Sequence, residues 1–176
     1  MSVDADTTTT SIPDSLADQL GYLLAKAHHR VHVRANEALE PLDLTVKHYG
    51  LLTLLVHEGP ISQGRLGEVM RIDRTTMVAL IDDLERAGHV DRTRNPDDRR
   101  AYALAATAAG KRIQRSAATL MKRVYDEALT SLTAGERREL RRLLRAIVEG
   151  ETATRASRTS PGSDGRSSSP AAEPAG

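Results

Sequence analysis

The stretch that decides the fold runs from Ile61 to Thr107: ISQGRLGEVMRIDRTTMVALIDDLERAGHVDRTRNPDDRRAYALAAT. Its second residue, Ser62, can cap a short helix that carries Leu66, Val69 and Met70. Asp73 can cap a second helix with Met77, Leu80, Ile81 and Leu84 at three- and four-residue spacing, and Gly88 stands where a glycine closes a helix. The period then changes. His89 to Arg94 mixes polar and apolar residues, Asn95-Pro96-Asp97-Asp98 is a strong turn signal, and Arg100 to Ala105 reads as a returning strand. Two short helices joined by a tight turn are therefore followed by a β-hairpin with a basic tip.

Upstream, Leu16, Leu20, Leu23, Leu24, Ala27, Val31 and Leu39 mark one long amphipathic helix that starts near Asp14 or Ser15. It should end before Pro41, because the residue preceding a proline disfavours the helical region. Thr45 can cap the next helix, with Val46, Tyr49, Leu52 and Leu55, which stops at Gly59-Pro60. Downstream, Ile113, Ala117, Leu120, Val124 and Ala128 share a face, and Thr133-Ala134-Gly135-Glu136 is a capping box opening a last helix with Leu140, Leu143, Leu144 and Ile147. The pattern predicts a mainly α fold of six helices plus a two-stranded β-wing. Residues 1–12 and 151–176 are expected to be disordered tails flanking a body over 13–150, since the Thr/Asp-rich start and the Ser/Pro/Ala-rich end have little to bury.

Composition narrows the function. The chain of 176 residues has no cysteine, which excludes disulfides and thiol chemistry, and no run of ~20 apolar residues that could span a bilayer. The polar, acidic N-terminus lacks the features of a signal peptide, so a cytoplasmic protein is expected. Net charge is +1, but between Arg86 and Arg112 seven bases face three acids, a local excess of four. Phe and Trp are absent and the four tyrosines are scattered, which disfavours a stacking platform for single strands and leaves duplex recognition open.

The helix–turn–helix–hairpin order is that of a winged helix-turn-helix. A helix of this length fits the DNA major groove while the one before it braces the backbone. At the start of the second helix Arg74 can pair with guanine, and Thr75 and Thr76 can offer a hydroxyl or a methyl to base edges. Ser62 and Gln63, at the start of the first, can anchor phosphates, and the hairpin arginines Arg94, Arg99 and Arg100 can enter a narrow minor groove. Taken singly, each piece is more often capping chemistry or a solvated basic loop. Their ordered co-occurrence moves the odds.

The same residues resemble the DNA-binding core of the MarR family, most specifically in Asp73-Arg74-Thr75-Thr76, in LERAGHV from Leu84 to Val90, and in Asp98-Arg99-Arg100 followed by Thr107 and Gly110. The resemblance implies a homodimer whose helices over 14–40 and 108–150 interlock, presenting two cores over 45–107 to a palindromic operator in double-stranded DNA. It implies that Arg100 inserts into the minor groove, that Asp98 braces the wing, and that Thr75 and Thr76 occupy recognition positions. Arg71 departs from the pattern, standing where the family often has glycine, and so does Ala106, where leucine usually precedes the threonine. The leucine-rich first, fifth and sixth helices independently call for a partner copy.

The resemblance also implies release from DNA by a small phenolic or anionic effector, for which His28, His32, His48, Tyr49 and Leu52 are candidates beside the reading that the histidines lie on a solvated or interface face. His28 and His32 are four residues apart, a spacing zinc can use, but no third ligand is apparent, so no metal or cofactor is expected. Neither HExxH, GxSxG nor a phosphate-binding glycine loop is present, and no enzyme activity is expected. The competing reading is a non-catalytic helical protein-interaction module with a winged-helix fold.

Overall fold

The computed structural model describes residues 12–94 and 102–159, with the backbone alone for Arg94 and for 151–159. Two compact units follow one another, the first ending at Leu129 and the second starting at Thr130. The first contains α1 (Asp14–Ala17), α2 (Leu20–Leu39), a 3-10 turn (Glu40–Leu42), α3 (Val46–Glu58), α4 (Gln63–Met70), α5 (Arg74–Arg86), β1 (Val90–Arg94), β2 (Tyr102–Ala106) and α6 (Ala108–Ala128). The second contains α7 (Ala134–Thr159).

The described residues thus hold seven α-helices, because the single helix expected from residue 14 onward is broken. Gln19 is extended and precedes α2, leaving α1 as one turn without a buried residue. Leu16 and Leu20 therefore do not belong to one continuous stripe. The α2 terminus follows the expectation: helical residues stop at Leu39 and Pro41 sits in the 3-10 turn, where its missing N–H costs nothing.

Without Phe or Trp, the core is built from leucine and its relatives. Leu51, Leu52 and Leu55 of α3 meet Ala35 and Leu39 of α2, Leu66 of α4, Met77, Ile81 and Leu84 of α5, and Ala117 and Met121 of α6. Each of these side chains is fully or almost fully removed from water, at roughly 1.5–3 kcal/mol for a Val, Leu, Ile or Met. Asn36 ties the α2 end to the α3 start: its side-chain oxygen accepts from the Val46 N–H at 3.0 Å and its amide donates to the His32 carbonyl at 3.1 Å.

β1 and β2 pair antiparallel from Val90 opposite Ala106 to Arg94 opposite Tyr102. Ile61 adds a bridge on the far side of β2, exchanging backbone hydrogen bonds with Leu104 at 3.0 and 2.8 Å. That contact anchors the hairpin base to the segment before α4. The hairpin tip, with Asp98, Arg99 and Arg100, lies outside the described residues.

In the second unit the predicted capping box forms. The Thr133 N–H donates to Glu136 at 2.7 Å and the Glu136 N–H donates to the Thr133 hydroxyl at 3.3 Å. α7 then continues to Thr159, past the expected boundary at Gly150. ETATRAS and its neighbours contain helix-compatible residues, and the next proline is Pro161, so a single glycine does not end the helix. The tail expected from residue 151 therefore begins with helix. No helix among the described residues is long and apolar enough to cross a membrane.

Candidate nucleic-acid interface

α4 and α5 are each started by their predicted cap. The Ser62 hydroxyl accepts from the Arg65 N–H at 3.3 Å, and the Asp73 carboxylate accepts from the Thr76 N–H at 2.9 Å. Between them Arg71 adopts a left-handed conformation, φ 51° and ψ 43°. This conformation is the physical reason a glycine is at home in that turn, and the helix ends there despite the arginine. The turn brings Gln63 of α4 and Arg74 of α5 to the walls of one recess, with Gly67 and Ile72 between them.

α5 divides into two faces. Met77, Leu80, Ile81 and Leu84 are buried, whereas Arg74, Thr75, Val78, Ala79 and Asp82 are exposed. Thr76 is half-buried, and its hydroxyl donates to the second Asp73 oxygen at 2.7 Å. Both Thr76 bonds hold the Asp73 carboxyl below its ordinary range, so the anion persists as a cap. Thr75 gives the cap only its backbone N–H, whereas Thr76 gives both its N–H and its hydroxyl, so the two side chains are not equivalent.

Gly88 ends α5. At φ 69° it donates to the Glu85 carbonyl at 2.9 Å while the His89 N–H reaches the Leu84 carbonyl at 2.8 Å, a Schellman closure. The spacing of Thr107 and Gly110 is explained at the same place. Thr107 caps α6, accepting from the Gly110 N–H at 2.9 Å and donating to the Gly88 carbonyl at 2.8 Å. Its own N–H donates to the His89 carbonyl at 3.0 Å. A Cβ on Gly110 would fall on the His89 carbonyl oxygen, so only glycine permits this approach.

The basic excess is partly answered by α5. Arg92 on β1 pairs with Glu85 at 2.9 Å, and Arg86 pairs with Asp83 at 2.8 Å. Both acids precede the window in which the excess was counted, a pairing that sequence order alone does not reveal. The Arg92–Glu85 contact is a strut from wing to helix. Tyr102 is 68% exposed on β2, paired with Arg94 of β1.

The five effector candidates do not converge on one cavity among the described residues. His28 is exposed and His32 half-buried, with ring centroids 5.4 Å apart on α2. Leu52 belongs to the closed core, and Tyr49 packs at its edge. His48 is buried elsewhere, at the α3 start, where its Nδ1 accepts from the Thr45 N–H at 3.1 Å. It lines a cavity of about 300 Å³ with Leu44, Asp83, His89 and Ile113.

A bracing helix, a tight turn, a second helix with a polar outer face and a hairpin docked by its base define a winged helix-turn-helix. A family model for the MarR family matches residues 42–101. The transcriptional regulator SarZ of Staphylococcus saprophyticus is 30% identical over 65% of this chain and 78% of its own. The structure of CouR from Rhodococcus jostii RHA1 bound to p-coumaroyl-CoA superposes with a TM-score of 0.70 at 29% identity, covering 77% of this chain and 95% of that one. A mutant MarR from Escherichia coli complexed with operator DNA gives a TM-score of 0.66 at 27% identity, over 78% and 99% respectively. The chain belongs to the MarR family of winged-helix transcriptional regulators, which are DNA-binding proteins and not enzymes.

Proposed function

We propose that this regulator binds a palindromic operator as a homodimer and acts as a repressor, released by a small phenolic or anionic effector. The observation that carries the DNA reading is the exposed start of α5, where Arg74 and Thr75 face outward. Arg74 is assigned to guanine edges, Thr75 and Thr76 to the recognition helix, and Ser62 and Gln63 to phosphates. Arg94, Arg99 and Arg100 are assigned to the minor groove, with Asp98 bracing the wing.

Pairing of two copies is supported by apolar side chains left in water in both units. Leu20, Leu24 and Tyr125 are exposed in the first, and Leu143, Leu144, Ile147 and Val148 in the second. Helices over 14–40 and 108–150 are assigned to the dimer, which sets the two α5 helices ~34 Å apart, one turn of duplex. A dimer seated on a promoter in the cytoplasm blocks polymerase, which favours repression. Effector release rests on the ligand-bound CouR relative; His28, His32, His48, Tyr49 and Leu52 remain its candidate residues in this chain.

Sequencing of the genomic fragments that the purified chain captures, followed by binding at several salt concentrations, tests this reading. A palindromic site with affinity falling steeply in salt is expected. Capture of nothing, or a flat salt response, favours the protein-interaction module; so does a double variant, Arg99→Ala with Arg100→Ala, that leaves regulation intact.

A further inference from the structure

Thr75, Val78, Ala79 and Asp82 fall at positions i, i+3, i+4 and i+7 of α5 and are all exposed, so they form one contiguous row on its outer face. Three of the four carry methyl groups. Val78 is 39% exposed. A single exposed valine on a surface helix needs no explanation. A methyl-bearing row in the first two turns of the helix that faces DNA is different, because the thymine C5 methyl is the apolar feature of the major groove. The Thr76 hydroxyl, held by Asp73, is not the group best placed to read a base.

We infer that Thr75, Val78 and Ala79 read thymine methyl groups, with Val78 setting the preference at one half-site position. This rests on the operator reading above. Arg74 supplies a polar contact at one end of the row, while the carboxylate of Asp82 at the other end disfavours close approach of a phosphate. Specificity then comes from apolar contact in the middle of the helix rather than from a second bidentate pair.

The test uses the full chain and its captured operator, in which half-site thymines are replaced one at a time by deoxyuridine, deleting only the C5 methyl. At one or two positions per half-site affinity should fall roughly fourfold, the effect of one buried carbon. In Val78→Ala the penalty at one such position should vanish, and in Val78→Ile it should persist. Because Val78 lies on the outer face, circular dichroism should show both variants folded. Tight binding that ignores every deoxyuridine, or a penalty pattern unchanged in Val78→Ala, overturns the thymine assignment alone. Failure to capture any DNA overturns the operator reading itself.

Discussion

The Nε2 of His48 lies 3.6 Å from a carboxylate oxygen of Asp83, so the first turn of α3 faces the C-terminal half of α5 through an imidazole and an acid. His48 occupies the capping-box position usually held by a carboxylate: its Nδ1 accepts from the Thr45 N–H, and its own N–H donates to the Thr45 hydroxyl at 3.3 Å. An accepting Nδ1 carries no proton, which assigns the ring hydrogen to Nε2. Protonating the ring would break the cap and at the same time strengthen the attraction to Asp83.

Burial, outweighing the pull of Asp83, pushes the His48 imidazole below its ordinary value of about 6.5. The unfolded chain then takes up a proton that the folded chain resists, so the His48 contribution is complete above about pH 6.5 and is lost as pH falls below it. Thermal unfolding of His48→Gln, which keeps an acceptor for the Thr45 N–H, should show a shallower decline below about pH 6.5 than the parent. Equal slopes would remove His48 as the source.

Gly110→Ala places a methyl against the His89 carbonyl. The backbone must give way, and a loss of about 1–3 kcal/mol in chemical denaturation is expected, as for overpacked interiors. Operator binding should fall further than stability alone accounts for, because the wing base shifts. A variant as stable as the parent would show that α6 can move away freely.

Arg71→Gly should act in the opposite direction. Relieving a left-handed arginine gains about 1–2 kcal/mol, and the added freedom of glycine in the unfolded chain offsets part of it, leaving a net stabilisation near ~1 kcal/mol. A destabilised variant in urea titration would mean that the arginine side chain contributes more than its backbone costs.

Arg100→Ala should weaken binding to all sequences and reduce the slope of log affinity against log salt by about one. Unchanged affinity and slope would remove Arg100 from the DNA interface.

Thr75→Ala and Thr76→Val should separate cleanly. The first is expected to alter sequence preference, at ~1–3 kcal/mol for a good contact, and the second to lower affinity uniformly by loosening the α5 start. Identical footprints of preference in both variants would defeat the distinction.

Much of this fold was legible because its signals are local. Asp73, Ser62, Thr45 and Thr133 each cap the helix they precede, and Gly88 ends α5 where a glycine after a helical run should. Non-local pairings were hidden. Glu85 meets Arg92 across the turn after α5, and Ile61 bridges Leu104 across more than forty residues, with no sequence period to announce either. The break at Gln19 was invisible because leucines on both sides keep helical spacing. The two threonines of the recognition helix looked alike in sequence, and only the rotation of the helix about its axis separates them.

The hydrogen bonds among Gly88, His89, Thr107 and Gly110 make the end of α5, the root of the wing and the first turn of α6 one mechanical piece. α6 is 21 residues long, about 32 Å at 1.5 Å per residue. Its Ala117, Met121 and Val124 are buried in the core shared with α3 and α5, so a shift of its first turn carries the end of α5 and the root of the hairpin with it.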